Sequence, residues 1–251
     1  MINFTASQAD PQAIADSYPA GSRERNIIDL LISSQSVSNF SNPDELRFEV
    51  SMRVKILDAS VSLYRGRLRF RTFKESFCNE EFWIRMDNGG FRLKDGVLPS
   101  DAINDIFSDA RKYGTECATA IVMIYYKAIL DLYAPELFNS TFSGIILMNW
   151  ADISPKLGIA THRSPPVYLP GDCRYFKNPE VNPLTPEWQG ENAIFFDGDN
   201  YYGHGIGMVT GDIIIKALNS NRIEGATQSA YLLETATRPD FKGLWQIKST
   251  T

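Results

Sequence analysis

Cysteine and histidine are scarce in this chain, with three Cys and two His in 251 residues. Three Cys make no disulfide scaffold, and an odd count leaves at least one thiol free. The 17 Gly and 13 Pro are too few and too scattered for a collagen-like or low-complexity chain. Excess positive charge is also missing: 25 Lys and Arg face 30 Asp and Glu, for a net charge of -5. The basic residues are dispersed, which disfavours a nucleic-acid stripe or a polybasic membrane anchor. The longest apolar-looking run, 117–126, falls far short of the roughly 20 residues that span a bilayer. The opening residues lack the basic start and apolar stretch of a secretory signal. A soluble protein made in the cytoplasm is therefore expected.

What is present suits one globular unit. Apolar residues make up 43% and charged residues 22%, an ordinary soluble composition. No repeat and no long linker divides the chain, so a single domain over 1–251 is expected, with 1–20 loosely packed. Residues 22–35 place Ile27, Ile28, Leu30 and Leu31 on one side of a short helix, and 42–64 read as a longer helix capped by Asn42. Residues 81–95 read as a β-hairpin around Asn88-Gly89-Gly90. Helices follow at 101–112, capped by Ser100, and from Glu116 to about Tyr133. Strands are expected at 143–149, 172–177, 191–197 and 201–208, helices at 211–219 and 226–236, and a last strand near 244–248. The class is α+β, with antiparallel strands late in the chain.

The helix from Glu116 carries the chemistry. Cys117 through Tyr126 leave it almost no polar face, so it is buried on all sides. With Thr115 as cap, Cys117 falls in the first turn, where the helix dipole and free N–H groups favour a thiolate. Glu116 opposes this, since a neighbouring carboxylate disfavours a second negative charge. From position alone, Cys117 is either a nucleophile or a small core residue. A nucleophilic Cys needs a base. His162 lies in a Pro-rich loop, whereas His204 lies on a strand among glycines. If 197–200 form the turn, Ala193 opposes His204, and Glu191 shares its face as a diagonal neighbour. A turn of odd length would separate them.

Other patterns are weaker. The run 203–207 is G-x-G-x-G without a βαβ unit around it. Asp197-Gly198-Asp199 reads as a turn rather than a calcium loop. Cys78, Cys173 and His162 lack zinc-site spacing, so neither a metal nor a cofactor is expected.

The runs GTECATAIVMIYYKAILDLY (114–133), GDCRYFKNPE (171–180), WQGENAIFF (188–196), YYGHGIG (201–207) and ALNSNRIEGATQSAYLLETATR (217–238) resemble the spore-coat transglutaminases of endospore-forming bacteria. These are compact, calcium-independent protein-glutamine γ-glutamyltransferases. The resemblance spans about 45–240. It implies a papain-like core of the NlpC/P60 type, with a buried nucleophile helix packed on an antiparallel sheet and extra N-terminal helices. It assigns the nucleophile to Cys117, the base to Glu191, and a second, partly substituting carboxylate to Glu116. His204 matches a position held in the family.

The implied reaction joins a protein Gln to a protein Lys through a Cys thioester. At pH 7 only about one free Lys in 2,500 is neutral, so a carboxylate able to take its proton is an asset. Water must be kept from the thioester. Trp188, Tyr201, Tyr202 and Phe73 are expected to line the channel, and the Cys117 N–H to serve as first oxyanion donor. The implied partners are proteins bearing Gln and Lys, with a monomer favoured, acting at the spore coat. Two other classes stay open: a cysteine peptidase or amidase of the same core, and a non-catalytic coat protein.

Overall fold

The computed structural model describes residues 1–250. The N-terminal region forms a satellite layer of its own. Strand β1 (Ile2–Phe4) pairs in parallel with β2 (Ser38–Phe40), and α1 (Pro11–Asp16) and α2 (Arg23–Ser33) lie between them in the chain. Ile14, Ala15, Ile27, Ile28, Leu31 and Phe40 are buried together there. Residues 1–20 are thus paired and packed, contrary to the loose segment that their polar composition suggested. Sheet pairing and two buried side chains of α1 hold what composition alone made look free.

Helix α3 (Pro43–Gly66) is the first long rod of the main body. Asn42 accepts from the Asp44 and Glu45 amides at 3.0 Å each, and Pro43 supplies a preset φ. Arg67, at φ 60, ends the helix in the left-handed region. After β3 (Arg69–Phe70) comes the expected hairpin, β4 (Trp83–Arg85) with β5 (Phe91–Leu93). Helix α4 (Pro99–Ser108) starts earlier than expected, because Pro99 takes the first helical position and Ser100 the second. Strand β6 (Gly114–Thr115) pairs in parallel with β3 and delivers the chain to α5 (Cys117–Leu130). Thirteen of the fourteen α5 residues are buried, which the all-round apolar pattern required. Helix α6 (Pro135–Thr141) and the short β7 (Ile146–Leu147), paired with β5, follow.

The remaining chain builds one sheet of seven strands. These are β8 (Ala160–Arg163), β9 (Cys173–Lys177), β10 (Gly190–Phe195), β11 (Asn200–Gly203), β12 (Gly207–Thr210), β13 (Tyr231–Leu232) and β14 (Thr235–Arg238). The order is β12-β11-β10-β9-β14-β8, with β13 also on β9, and every pairing is antiparallel. On one face Ile194, Tyr202 and Cys173 join the main core with α3 and α5. On the other, Ala193, Tyr201 and Phe176 pack under α7 (Gly211–Asn219), where the expected helix at 211–219 stands.

Three expectations for this region fail. The 201–208 strand is two strands, broken where Gly205 and Gly207 take φ 95 and 115, a region that favours glycine. The helix at 226–236 is instead β13 and β14. Arg174 donates to the Thr235 and Leu233 carbonyls at 2.7 and 2.9 Å, and sheet completion overrides local helix preference. The strand near 244–248 is instead α8 (Phe241–Ser249), capped by Asp240 and seated by Phe241 and Leu244 in the core.

Candidate active site

Glu116 caps α5, in place of the expected Thr115. Its backbone is extended, and its carboxylate folds back to accept from the Ala118 and Thr119 amides at 2.7 Å each. The Thr119 hydroxyl donates to the same carboxylate and accepts from the Asn149 amide at 2.8 Å. Cys117 becomes the first helical residue, 9% exposed. A negative cap now sits where the bare helix end would have favoured a thiolate. Burial first, then the charges of Glu191 and Glu116, push the Cys117 thiol well above its ordinary value. The resting thiol is therefore protonated, which corrects the expectation of a thiolate.

Strand β10 places the next two groups. Asn192 donates from Nδ2 to Cys117 Sγ at 3.4 Å. Glu191, beside it, is 5% exposed, and its carboxylate fills the space that a side chain on Gly203 would need. Its Oε1 is buried without a hydrogen-bond partner. Burial, and after it the Glu116 charge, hold the Glu191 carboxyl well above the usual carboxylate range, and the His204 main chain relieves only part of this. Among the described residues neither carboxylate has a Lys or Arg ion-pair partner.

The hairpin register differs from the expected one by a residue. Ala193 faces Gly203, Ile194 faces Tyr202 and Phe195 faces Tyr201. The turn is odd because Gly198 takes φ 53 and the Asn200 amide bonds Asp197 O at 2.8 Å. Continued past Gly203, this register sets His204 opposite Asn192 rather than Ala193. His204 is 2% exposed, with Nε2 at 3.1 Å from Thr115 O and Nδ1 at 3.3 Å from the Tyr202 hydroxyl. A carbonyl only accepts, so the proton is on Nε2 and Nδ1 accepts from Tyr202. Burial lowers the His204 pKa to about 4, so the ring is neutral. It ties β11 to the residue before Glu116, and both its nitrogens are occupied.

A cavity of about 1090 Å³ opens onto Cys117. Phe70, Phe73, Trp150 and Tyr175 supply aromatic walls, with Asn192, Glu116 and Cys117 beside them. Of the expected channel residues, Phe73 lines it. Trp188 adjoins it through Phe70, with ring centroids 6.5 Å apart. Tyr201 and Tyr202 do not line it: both are buried, Tyr201 against Phe176 and Tyr202 beneath Tyr64. Thr161 and Arg163 of β8 reach the cavity, whereas the exposed His162 between them does not. The Cys78 and Cys173 thiols are both raised by burial, Cys78 to about 11. Among the described residues, no group of three His, Cys, Asp or Glu could hold a metal ion. Phe70, Trp150, Tyr175 and Asn192 were not singled out from the sequence. Only Asn192 had a readable signal, through an odd turn between β10 and β11.

Comparison with known proteins agrees on one family. The profile described as "Protein-glutamine gamma-glutamyltransferase" matches residues 1–248. A protein of that name from Bacillus mycoides is 42% identical over 246 residues, covering 98% of this chain and 88% of its own. One from Bacillus cereus is 41% identical over 251 residues, covering 100% of this chain and 90% of its own. A solved structure of a transglutaminase from Geobacillus stearothermophilus, without its C-terminal extension, superposes with a TM-score of 0.79 at 49% identity. It covers 82% of this chain and 98% of that one. The shared arrangement, helices with an antiparallel sheet in an α+β domain, is papain-like. On both the profile match and the identities, the chain belongs to the protein-glutamine γ-glutamyltransferase family.

Proposed function

We propose that this protein forms ε-(γ-glutamyl)lysine cross-links through a thioester on Cys117, with Glu191 as the base and proteins of the spore coat as substrates. The observation that carries the reading is a thiol at the wall of an aromatic cavity, touched by Asn192, whose strand neighbour Glu191 is a buried carboxylate without an ion-pair partner among the described residues. A carboxyl with a raised pKa is a stronger base than a solvated one. Passing the Cys117 proton to ionised Glu191 exchanges one buried anion for another, so no net charge is created in the site. Sγ then attacks the Gln carboxamide carbon. The proton moves from Glu191 to the leaving nitrogen, ammonia departs, and the thioester remains. Lys Nζ attacks it next, Glu191 takes the ammonium proton, and Sγ leaves as the isopeptide bond forms.

The other residues fit supporting parts. Glu116, held by three donors, fixes the helix start and keeps negative charge beside Sγ. His204, neutral and doubly bonded, positions Thr115 rather than moving protons. Phe70, Phe73 and Trp150 limit water at the thioester. The spore-coat assignment rests on the sequence resemblance. No described helix is long and apolar enough to cross a membrane.

The test attaches a fluorescent primary amine to a Gln-bearing protein. Cys117→Ala is expected to abolish attachment while the fold persists, since Ala suits the first turn of a helix. Retained attachment in that variant would falsify the reading. Release of ammonia without amine attachment by the unaltered protein would point instead to an amidase.

A further inference from the structure

The first turn of α5 has few donors to spare. The leading N–H groups of a helix have no intrahelical acceptor. Glu116 takes those of Ala118 and Thr119 through its carboxylate, and its carbonyl takes that of Ala120 at 3.2 Å. Only the Cys117 N–H remains for an oxyanion. One donor is a weak site for the charge that develops on a carbonyl oxygen under attack, and preorganised pairs are the effective arrangement. The second donor must come from outside the helix and must already lie at the sulfur.

One side chain meets that condition. Asn192 lines the cavity and directs Nδ2 at Cys117 Sγ, 3.4 Å away. Its Oδ1 lies on the other side, 4.0 Å from the buried Cys173 thiol, which is also 3.9 Å from the Arg174 carbonyl, and its Nδ2 is turned to Cys117. The β10–β9 pairing adds Tyr175 directly opposite Asn192, which limits its freedom. We infer that the Asn192 side-chain amide, with the Cys117 main-chain N–H, forms the oxyanion hole for the tetrahedral intermediates on either side of the thioester. In the resting protein Nδ2–H donates its hydrogen bond to sulfur. On attack, the S–C bond forms, the carbonyl π pair moves onto oxygen, and Nδ2–H transfers its hydrogen bond from sulfur to that oxygen. Collapse expels ammonia in the first half and the thiolate in the second, and Nδ2–H returns to sulfur. The inference rests on the acyl-transfer reading above.

Two reactions of the same thiol separate this role from simple tuning of the sulfur. Alkylation by iodoacetamide needs the thiolate but builds no oxyanion. Amine attachment to a Gln protein needs both. Asn192→Ala is expected to lower kcat for amine attachment by about 10²–10³, with KM nearly unchanged. Alkylation should slow at least tenfold less than this, with its pH profile recording any change in the thiol itself. Asn192→Asp keeps the shape and replaces the donor by an acceptor, so it should lose at least as much attachment. Equal thermal melting of both variants and the parent shows that folding is not the cause. An equal fall in alkylation and attachment would reduce Asn192 to a thiol-tuning residue and overturn the proposal. So would unaltered attachment, or the full loss appearing in Tyr175→Phe instead. If the parent protein is alkylated at Cys117 yet attaches no amine to any Gln substrate, the acyl-transfer reading itself falls, and this assignment with it.

Discussion

Two clusters of ionisable groups are buried in this molecule, and they are built on opposite rules. One joins α3 to the sheet: Arg53 bonds Glu49 at 2.9 Å and Asp172 at 2.8 Å, and Arg238 bonds Asp172 at 2.7 Å. The Arg53 and Asp172 side chains are both 0% exposed. Two cations meet two anions, and the Leu169 amide supplies a further donor to Asp172. The other cluster holds Cys117, Glu116 and Glu191, where every charge that can form is negative. The first cluster is compensated and does no chemistry. The second is uncompensated, so its protons are loosely assigned and can be passed on. Function sits where the fold declines to neutralise what it buries.

Removing a charge should therefore act in opposite senses at the two places. The largest effect is expected at Glu191→Gln, which should cut amine attachment by about 10²–10⁴. The same change should stabilise the fold at alkaline pH. The Glu191 carboxyl is raised above its ordinary 4.5, so its contribution to stability is complete below that value and fades as pH rises through the folded pKa. Gln never ionises. Melting temperatures should coincide near pH 4 and favour the variant at pH 8; a lower value for the variant at pH 8 would erase the contrast between the clusters.

Asp172→Asn should do the reverse. It leaves two guanidinium groups in the interior with one carboxylate between them, a loss of about 3–5 kcal/mol in urea unfolding. Turnover of the remaining folded protein should hardly change. A large fall in kcat without loss of stability would make this network part of the active site.

The smallest effect concerns His204. Its folded pKa is about 4 against 6.5 when free. Its stabilisation is thus present above 6.5 and is lost as pH falls through 4. His204→Gln should flatten unfolding free energy between pH 7 and pH 5, since an amide can bond both Thr115 O and Tyr202 without titrating. An unchanged pH slope would mean that His204 already titrates normally in the fold.

The sequence disclosed the elements that are long or strongly patterned. α2, α3 and α7 were readable from apolar spacing and caps, and α5 from an apolar surface without a break. The segments that failed, 226–236 and 244–248, are short and lie late in the chain. Their state is set by Arg174 and by the core around Trp245 rather than by local preference. The 191–204 hairpin shows how fine the limit is. A three-residue turn in place of the expected four, admitted by Gly198, exchanged Ala193 for Asn192 opposite His204. Tyr201 and Tyr202 could not be sorted into core or cavity without that register.

By itself the chain determined that an oily helix would begin beside Glu116 and Cys117 and that Glu191 would stand on a late strand; His204, expected on the next strand on the same face, stands instead in the turn after β11. The chain did so because periodicity and turn residues are local, and because the family's residues stand in order along it. Only the tertiary structure decided that Glu116 would cap the helix, that the thiol would rest protonated, that His204 would be neutral, and that Asn192 would touch the sulfur. Each of those depends on burial and on partners dozens of residues away, whose distances and charges no stretch of sequence contains.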